Sequence, residues 1–168
     1  MNMKDYFLAQ LDREAALTRK TVARVPEGQN GFKPHERSME LGYLAALVAA
    51  MLGWIAFMIE RDELDFSDPT AGEFRPKVLN TKAELLASVD AAVANARRAL
   101  ESTTDEHLLT PWALKSSGRT IQEEARILMI ADAVFSHLAH HRGQLTVYLR
   151  LADSTVPALY GPSADERF

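Results

Sequence analysis

The sequence predicts an all-α fold, a four-helix bundle with long inter-helix loops, and three observations carry that expectation. Four segments of about twenty to thirty residues hold apolar side chains at helical spacing. Clusters of proline and glycine separate them. Only one sustained alternating stretch suggests a strand, and no internal repeat or low-complexity tract interrupts the pattern. With 168 residues the chain, residues 1–168, is expected to form one domain able to bury a core without covalent staples.

The first helix is expected from about Lys4 to Val25, with Tyr6, Leu8, Leu11, Ala15, Leu17 and Val22 near one face and Pro26-Glu27-Gly28 ending it. After a loop containing Gly31 and Pro34, Ser38 stands at an N-cap position for a second helix, Met39 to Arg61. Its stretch Leu41 to Ile59 carries no charge and passes a length test for a membrane span. Gly42, Gly53 and the alanines, the absence of a basic flank and the sequel Glu60-Arg61-Asp62-Glu63 instead point to a buried core helix.

From Asp62 to Asn80 the pattern becomes acidic residues, prolines and isolated aromatics (Phe66, Pro69, Gly72, Phe74, Pro76), which predicts a long loop. Thr81 to Glu101 forms the third helix, with an apolar stripe through Leu85, Leu86, Val89, Ala92, Val93, Ala96 and Leu100 and a cap from Asn80 or Thr81. A second loop, Ser102 to Gly118, leads to the capping-box pattern Thr120-Ile121-Gln122-Glu123 and a fourth helix ending near Leu151. Pro157 and Pro162 exclude a regular helix from the tail, whose Val156, Leu159 and Tyr160 are expected to pack back onto the bundle.

Composition narrows the chemistry. The chain has no cysteine, which removes disulfides, thiolate metal sites and a cysteine nucleophile. Its formal charge of −4 gives no electrostatic footprint for nucleic acid, so neither DNA nor RNA is an expected partner. The start Met1-Asn2-Met3-Lys4-Asp5-Tyr6 lacks the basic and apolar pattern of a signal peptide, and a cytoplasmic location with no membrane partner is expected.

Three of the five histidines, His137, His140 and His141, fall in one turn of the fourth helix. At about 100° per residue, His137 and His141 lie about 40° apart and one turn from each other, so two imidazoles can reach one point. That arrangement offers two nitrogen ligands to a divalent metal. Gln144 and Tyr148 fall within about 40° of the same direction and extend the polar stripe. The competing reading is ordinary helix histidines bonded to carbonyls or water, with His140 and Arg142 on the surface and Gly143 easing close helix packing. Asp132 is either a solvated carboxylate of the helix face or an acceptor for an imidazole N–H. A serine triad has little support, since Ser136 adjoins His137 and no Gly-x-Ser-x-Gly elbow is present.

These residues resemble those of a known family. Ser38-Met39-x-Leu41-Gly42-x-Leu44-Ala45, Trp112, His137-x-x-His140-His141-Arg142-Gly143-Gln144-Leu145-x-Val147-Tyr148-Leu149-Arg150 and the tail Val156 to Glu166 are similar to the DinB-like superfamily of DinB and YfiT-like metalloenzymes, over nearly the whole chain. The resemblance implies a four-helix bundle, often a homodimer, with a metal held by one histidine of helix two and two of helix four. His137 and His141 match the latter two, whereas Leu47 stands where the helix-two histidine is expected, and helix two contains no histidine. Tyr43, Glu40, Met51, His35, His107 and water are the candidates to replace the third ligand.

Two functions follow. One is a metal-dependent transferase or hydrolase, in which zinc, nickel, iron or manganese on His137 and His141 acts on a small molecule such as a low-molecular-weight thiol. The other is a metal-free, non-catalytic binding or stress-response protein whose pocket contains Tyr43, Leu47, Gln144 and Tyr148 beside the histidines. No catalytic residue is assigned.

Overall fold

The computed structural model describes residues 2–69 and 76–167. Of the expected second connection, Gly72 and Phe74 lie outside the described residues.

Helix α1 runs Met3–Val22. Asn2 caps it by accepting from the Asp5 amide, and Asp105, far away in sequence, accepts from the Met3 and Lys4 amides at 3.0 Å each. These carboxamide and carboxylate oxygens occupy first-turn donors that the helix itself leaves unpaired. Arg19 and Lys20 stand at the opposite end, where the helix dipole favours cations.

Helix α2, Leu41–Ala50, passes through a tight 3-10 turn, Met51–Gly53, into α3, Trp54–Glu60. The first residue is Leu41 rather than Met39, and Glu40 rather than Ser38 takes the N-cap position without a side-chain bond. The start is fixed instead by backbone: Leu41 N donates to Phe32 O and Gly42 N to Asn30 O, both at 2.9 Å. The chain presses so closely there that a Cβ on Gly42 would lie 2.8 Å from Asn30 Cβ and 2.9 Å from Val78 Cγ1. The whole apolar stretch is mostly buried, with α2 packed on α4 (Lys82–Ser102) and on α7 (His137–Leu151). It is a core helix. Thr81 and Glu84 give α4 a complete capping box, and the short helix α5, Asp105–Leu108, follows.

The all-α expectation requires correction, because a three-stranded sheet is part of the fold. Strand β1 (Glu63–Asp65) pairs parallel with β2 (Pro111–Ser116), which pairs antiparallel with β3 (Arg119–Ala125). Thr120 to Glu123, read as a helix start, lies within β3. The physical reason is the turn: Ser117 and Gly118, between the paired Ser116 and Arg119, have φ of 51° and 74°. Two central residues with positive φ make the hairpin turn whose twist matches that of the strands. The fold is therefore mostly helical with a small sheet.

After β3 the chain enters α6 (Arg126–Met129), a wider π-helical segment (Ile130–Ser136), and α7. Arg126, almost wholly buried, donates to the carbonyls of Met58, Pro111 and Arg61 and pairs with Thr110 and Asp62. It thereby satisfies carbonyls left open at the end of α3 and locks that end to the sheet.

Arg142, on the surface in one of the two readings of the histidine turn, is buried at 1% exposure and ion-paired with Glu14 at 5%. Gly143 is exposed, and a Cβ there would meet nothing within 4 Å, so it does not serve close helix packing. The tail does fold back: Val156 packs against the core, Ala158 is buried, and Tyr160 reaches the Glu14–Arg142 pair with its hydroxyl while its ring stays largely exposed.

Candidate functional site

A cavity of about 600 Å³ opens where the helices meet the sheet. Each element contributes residues at its own period. Tyr43 and Leu47 come from α2 and Trp54 and Met58 from α3, both pairs four residues apart on one helix face. Met129, Ala133 and His137 repeat the spacing through the π segment into α7. Trp112 and Leu114 alternate onto one face of β2, joined by Leu64 of β1, and the consecutive residues Phe66, Ser67, Asp68 and Pro69 form the rim. The wall is thus mainly aliphatic, aromatic and thioether.

His137 is the imidazole on this wall, half-buried, its ring centre 5.9 Å from that of Trp54. The His141 ring lies 4.5 Å behind it, buried and outside the cavity lining, and exposed His140 lies 5.0 Å from His141. Burial pushes the basicity of both His137 and His141 down. A bond to the Ala133 carbonyl opposes this for His137, and one to Gln144 opposes it for His141, while the neighbouring imidazoles add to the lowering. Nδ1 of His141 donates to Gln144 Oε1 at 2.7 Å. In a neutral ring, one nitrogen donating to a carbonyl leaves the other as an acceptor. Both imidazoles therefore keep one nitrogen as an acceptor in their favoured state.

Of the residues expected in the pocket, Tyr43, Leu47 and His137 line the cavity. Gln144 instead orients His141, and Tyr148 is buried elsewhere, donating to the Met39 carbonyl at 3.1 Å and standing edge-on to Phe32. Asp132 is exposed. The sheet's contribution, Leu64, Trp112 and Leu114, and the rim lie outside the pocket expected from the sequence, where Trp112 figures only among the residues of the family resemblance. Ser117-Gly118 before an alternating run was the signal that could have revealed the sheet.

The metal implied by family resemblance can be tested against these side chains. Leu47 presents an apolar wall to the cavity, and among the described residues no three His, Asp or Glu side chains gather where they could share an ion. A three-ligand centre does not fit this donor set, because the chain has no thiolate to add and two imidazoles leave the shell short. One further polar atom stands out in the wall: Nε1 of Trp112, buried and without a hydrogen-bond partner among the described residues.

The mostly helical fold is that of a known class. The model of the DinB family matches residues 1–167, and the chain belongs to that family. A curated relative, Uncharacterized protein YrdA of Bacillus subtilis (strain 168), is 27% identical over 163 residues, spanning 96% of this chain and 90% of that protein. Among solved structures, a DinB-like protein (YjoA) of Bacillus subtilis matches with a TM-score of 0.64 at 20% identity, over 96% of this chain and 98% of that one. A DinB-like protein of Bacillus cereus ATCC 10987 matches with a TM-score of 0.68 at 20% identity, over 92% and 95% respectively. At such identities these two structures support the fold alone.

Proposed function

We propose that this DinB-family protein is a metal-free binding protein that holds a small, largely apolar molecule in the cavity. That ligand carries one hydroxyl or thiol that donates to His137. The observation behind this reading is the single imidazole set into an apolar wall, with its uncharged form favoured by burial and one nitrogen left to accept. A low-molecular-weight thiol belongs to this ligand class. The cavity's size and mainly apolar lining with few polar groups are those of a small-molecule site.

The test is displacement of the fluorescent probe N-phenyl-1-naphthylamine by 4-ethylphenol and by its methyl ether, 4-ethylanisole. The phenol should compete about threefold to tenfold better, the worth of one hydrogen bond, and His137→Leu should abolish that preference. Equal competition in the unaltered protein, or absence of probe binding, refutes the reading.

The metal-dependent transferase or hydrolase is supported only by the adjacency of two neutral imidazoles. It requires metal retained by the purified protein, and a metal-free preparation with undiminished probe binding leaves the binding reading in place.

A further inference from the structure

We propose that Asp65 is a positioning residue for this cavity: it clamps the rim Phe66–Pro69 to the tip of the β2–β3 hairpin and so sets how long a ligand stays. The proposal rests on the ligand-binding reading of the cavity.

Asp65 is the last residue of β1, immediately before four consecutive cavity-lining residues. Its Oδ1 accepts from the Ser67 amide at 2.9 Å, from the Ser67 hydroxyl and from the Ser117 amide at 3.0 Å, while Oδ2 accepts from the Gly118 amide at 2.7 Å. The Ser67 hydroxyl also accepts from Ser117 N at 2.7 Å, so rim and hairpin tip share one knot. Backbone bonds complete it: Phe66 N donates to Lys115 O, and Asp68 N to Asp65 O, both at 3.0 Å.

Two features make the carboxylate the centre of this knot. Ser117 and Gly118 both have positive φ, a conformation that turns successive amides toward one acceptor. The bonds from Ser67, Gly118 and Ser117 also hold the Asp65 carboxyl down to about 2, as expected for a carboxylate collecting several donors. β3 itself is largely exposed, with little core to cover, so its hairpin acts as a platform for the rim.

The test uses the full chain and measures N-phenyl-1-naphthylamine dissociation by stopped flow, together with amide hydrogen exchange. Asp65→Asn keeps the shape and removes the charge. Its dissociation rate should rise about tenfold, the equivalent of one charge-assisted hydrogen bond. Exchange should quicken at Ser117 and Gly118 and stay unchanged at Leu145 and Leu149 in α7. Ser67→Ala, which removes only the hydroxyl bridge, should raise the rate about threefold and remains informative if the Asn variant does not fold.

An unchanged dissociation rate in a folded Asn variant overturns the proposal, as does an unchanged rate in the Ala variant. A rise accompanied by faster exchange throughout α7 also overturns it, since that marks general loosening. In these cases probe binding by the unaltered chain leaves the cavity reading standing. Failure of the unaltered chain to bind the probe removes both.

Discussion

Removing the carboxylate of Glu14 should be among the most damaging single changes in this protein. Glu14 and Arg142 pair inside the fold at side-chain exposures of 6% and 1%. The guanidinium also donates to Thr18 Oγ1 at 2.9 Å and to the Glu14 carbonyl at 3.3 Å, and Tyr160 contributes its hydroxyl to both partners. In Glu14→Ala these neutral groups remain around a cation that has lost its counter-charge. Stripping one partner from a buried pair costs about 3–5 kcal/mol. For a chain of this length that is a fall of about 6–20 °C in thermal midpoint. Urea unfolding followed by far-UV circular dichroism measures the free energy directly. The paired replacement Glu14→Leu with Arg142→Met should cost far less than either single change, because no charge is then left buried. A loss below about 1 kcal/mol in Glu14→Ala, or a paired replacement as costly as the sum of the singles, refutes the reasoning. Either outcome means that water already solvates the pair.

Three further outcomes are expected. Gly42→Ala should lose about 1–3 kcal/mol by overpacking against Asn30 and Val78, read from urea unfolding; an unchanged midpoint means that this contact gives way freely. Leu47→His should raise zinc affinity above that of the unaltered chain, measured by isothermal titration, and equal affinity shows that Leu47 does not face the imidazole pair. Asp65 has a folded pKa of about 2 against an ordinary 3.8, so the unfolded chain binds its proton first as the medium acidifies. Its contribution to stability is fully present above 3.8 and is lost as pH falls through about 2. Acid titrations of the unaltered chain and Asp65→Asn should therefore converge toward pH 2, and parallel curves contradict that assignment.

The helical part of the fold was legible because its signals are local. The Thr81–Glu84 capping box and the apolar periodicity of α4 lie within a few residues of one another. The sheet was not legible in the same way. β1 is only three residues long and pairs with residues of β2 fifty positions away, so no short window along the chain contains the pair. β3 was mistaken for a helix start because Thr120 and Glu123 mimic a cap, although Ser117-Gly118 pointed to a hairpin. At the site, helical spacing brought His137 and His141 together, and their ring centres do lie 4.5 Å apart. The same spacing placed Gln144 and Tyr148 in the pocket. The cavity instead lies to the N-terminal side, on Met129, Ala133 and His137, where the π segment and the sheet border it.

That displacement bears on what Leu47 does. In a bundle whose last helix presents imidazoles to a partner helix, a leucine in place of a ligand is a deficit in coordination. In a cavity walled by Met58, Met129, Trp54, Trp112 and Leu114, the same leucine completes an apolar surface. Burial of His137 and His141 disfavours their charged forms, and close ring contact adds mutual repulsion between cations. A divalent ion on such a pair would meet the same obstacle without the third protein ligand that normally offsets dehydration of the metal. A neutral donor faces no such obstacle. On the proposed binding reading, one hydroxyl or thiol proton would satisfy the open nitrogen of His137 while the rest of the molecule exchanged water for aromatic and thioether contacts, and the apolar surface at Leu47 would suit such a ligand.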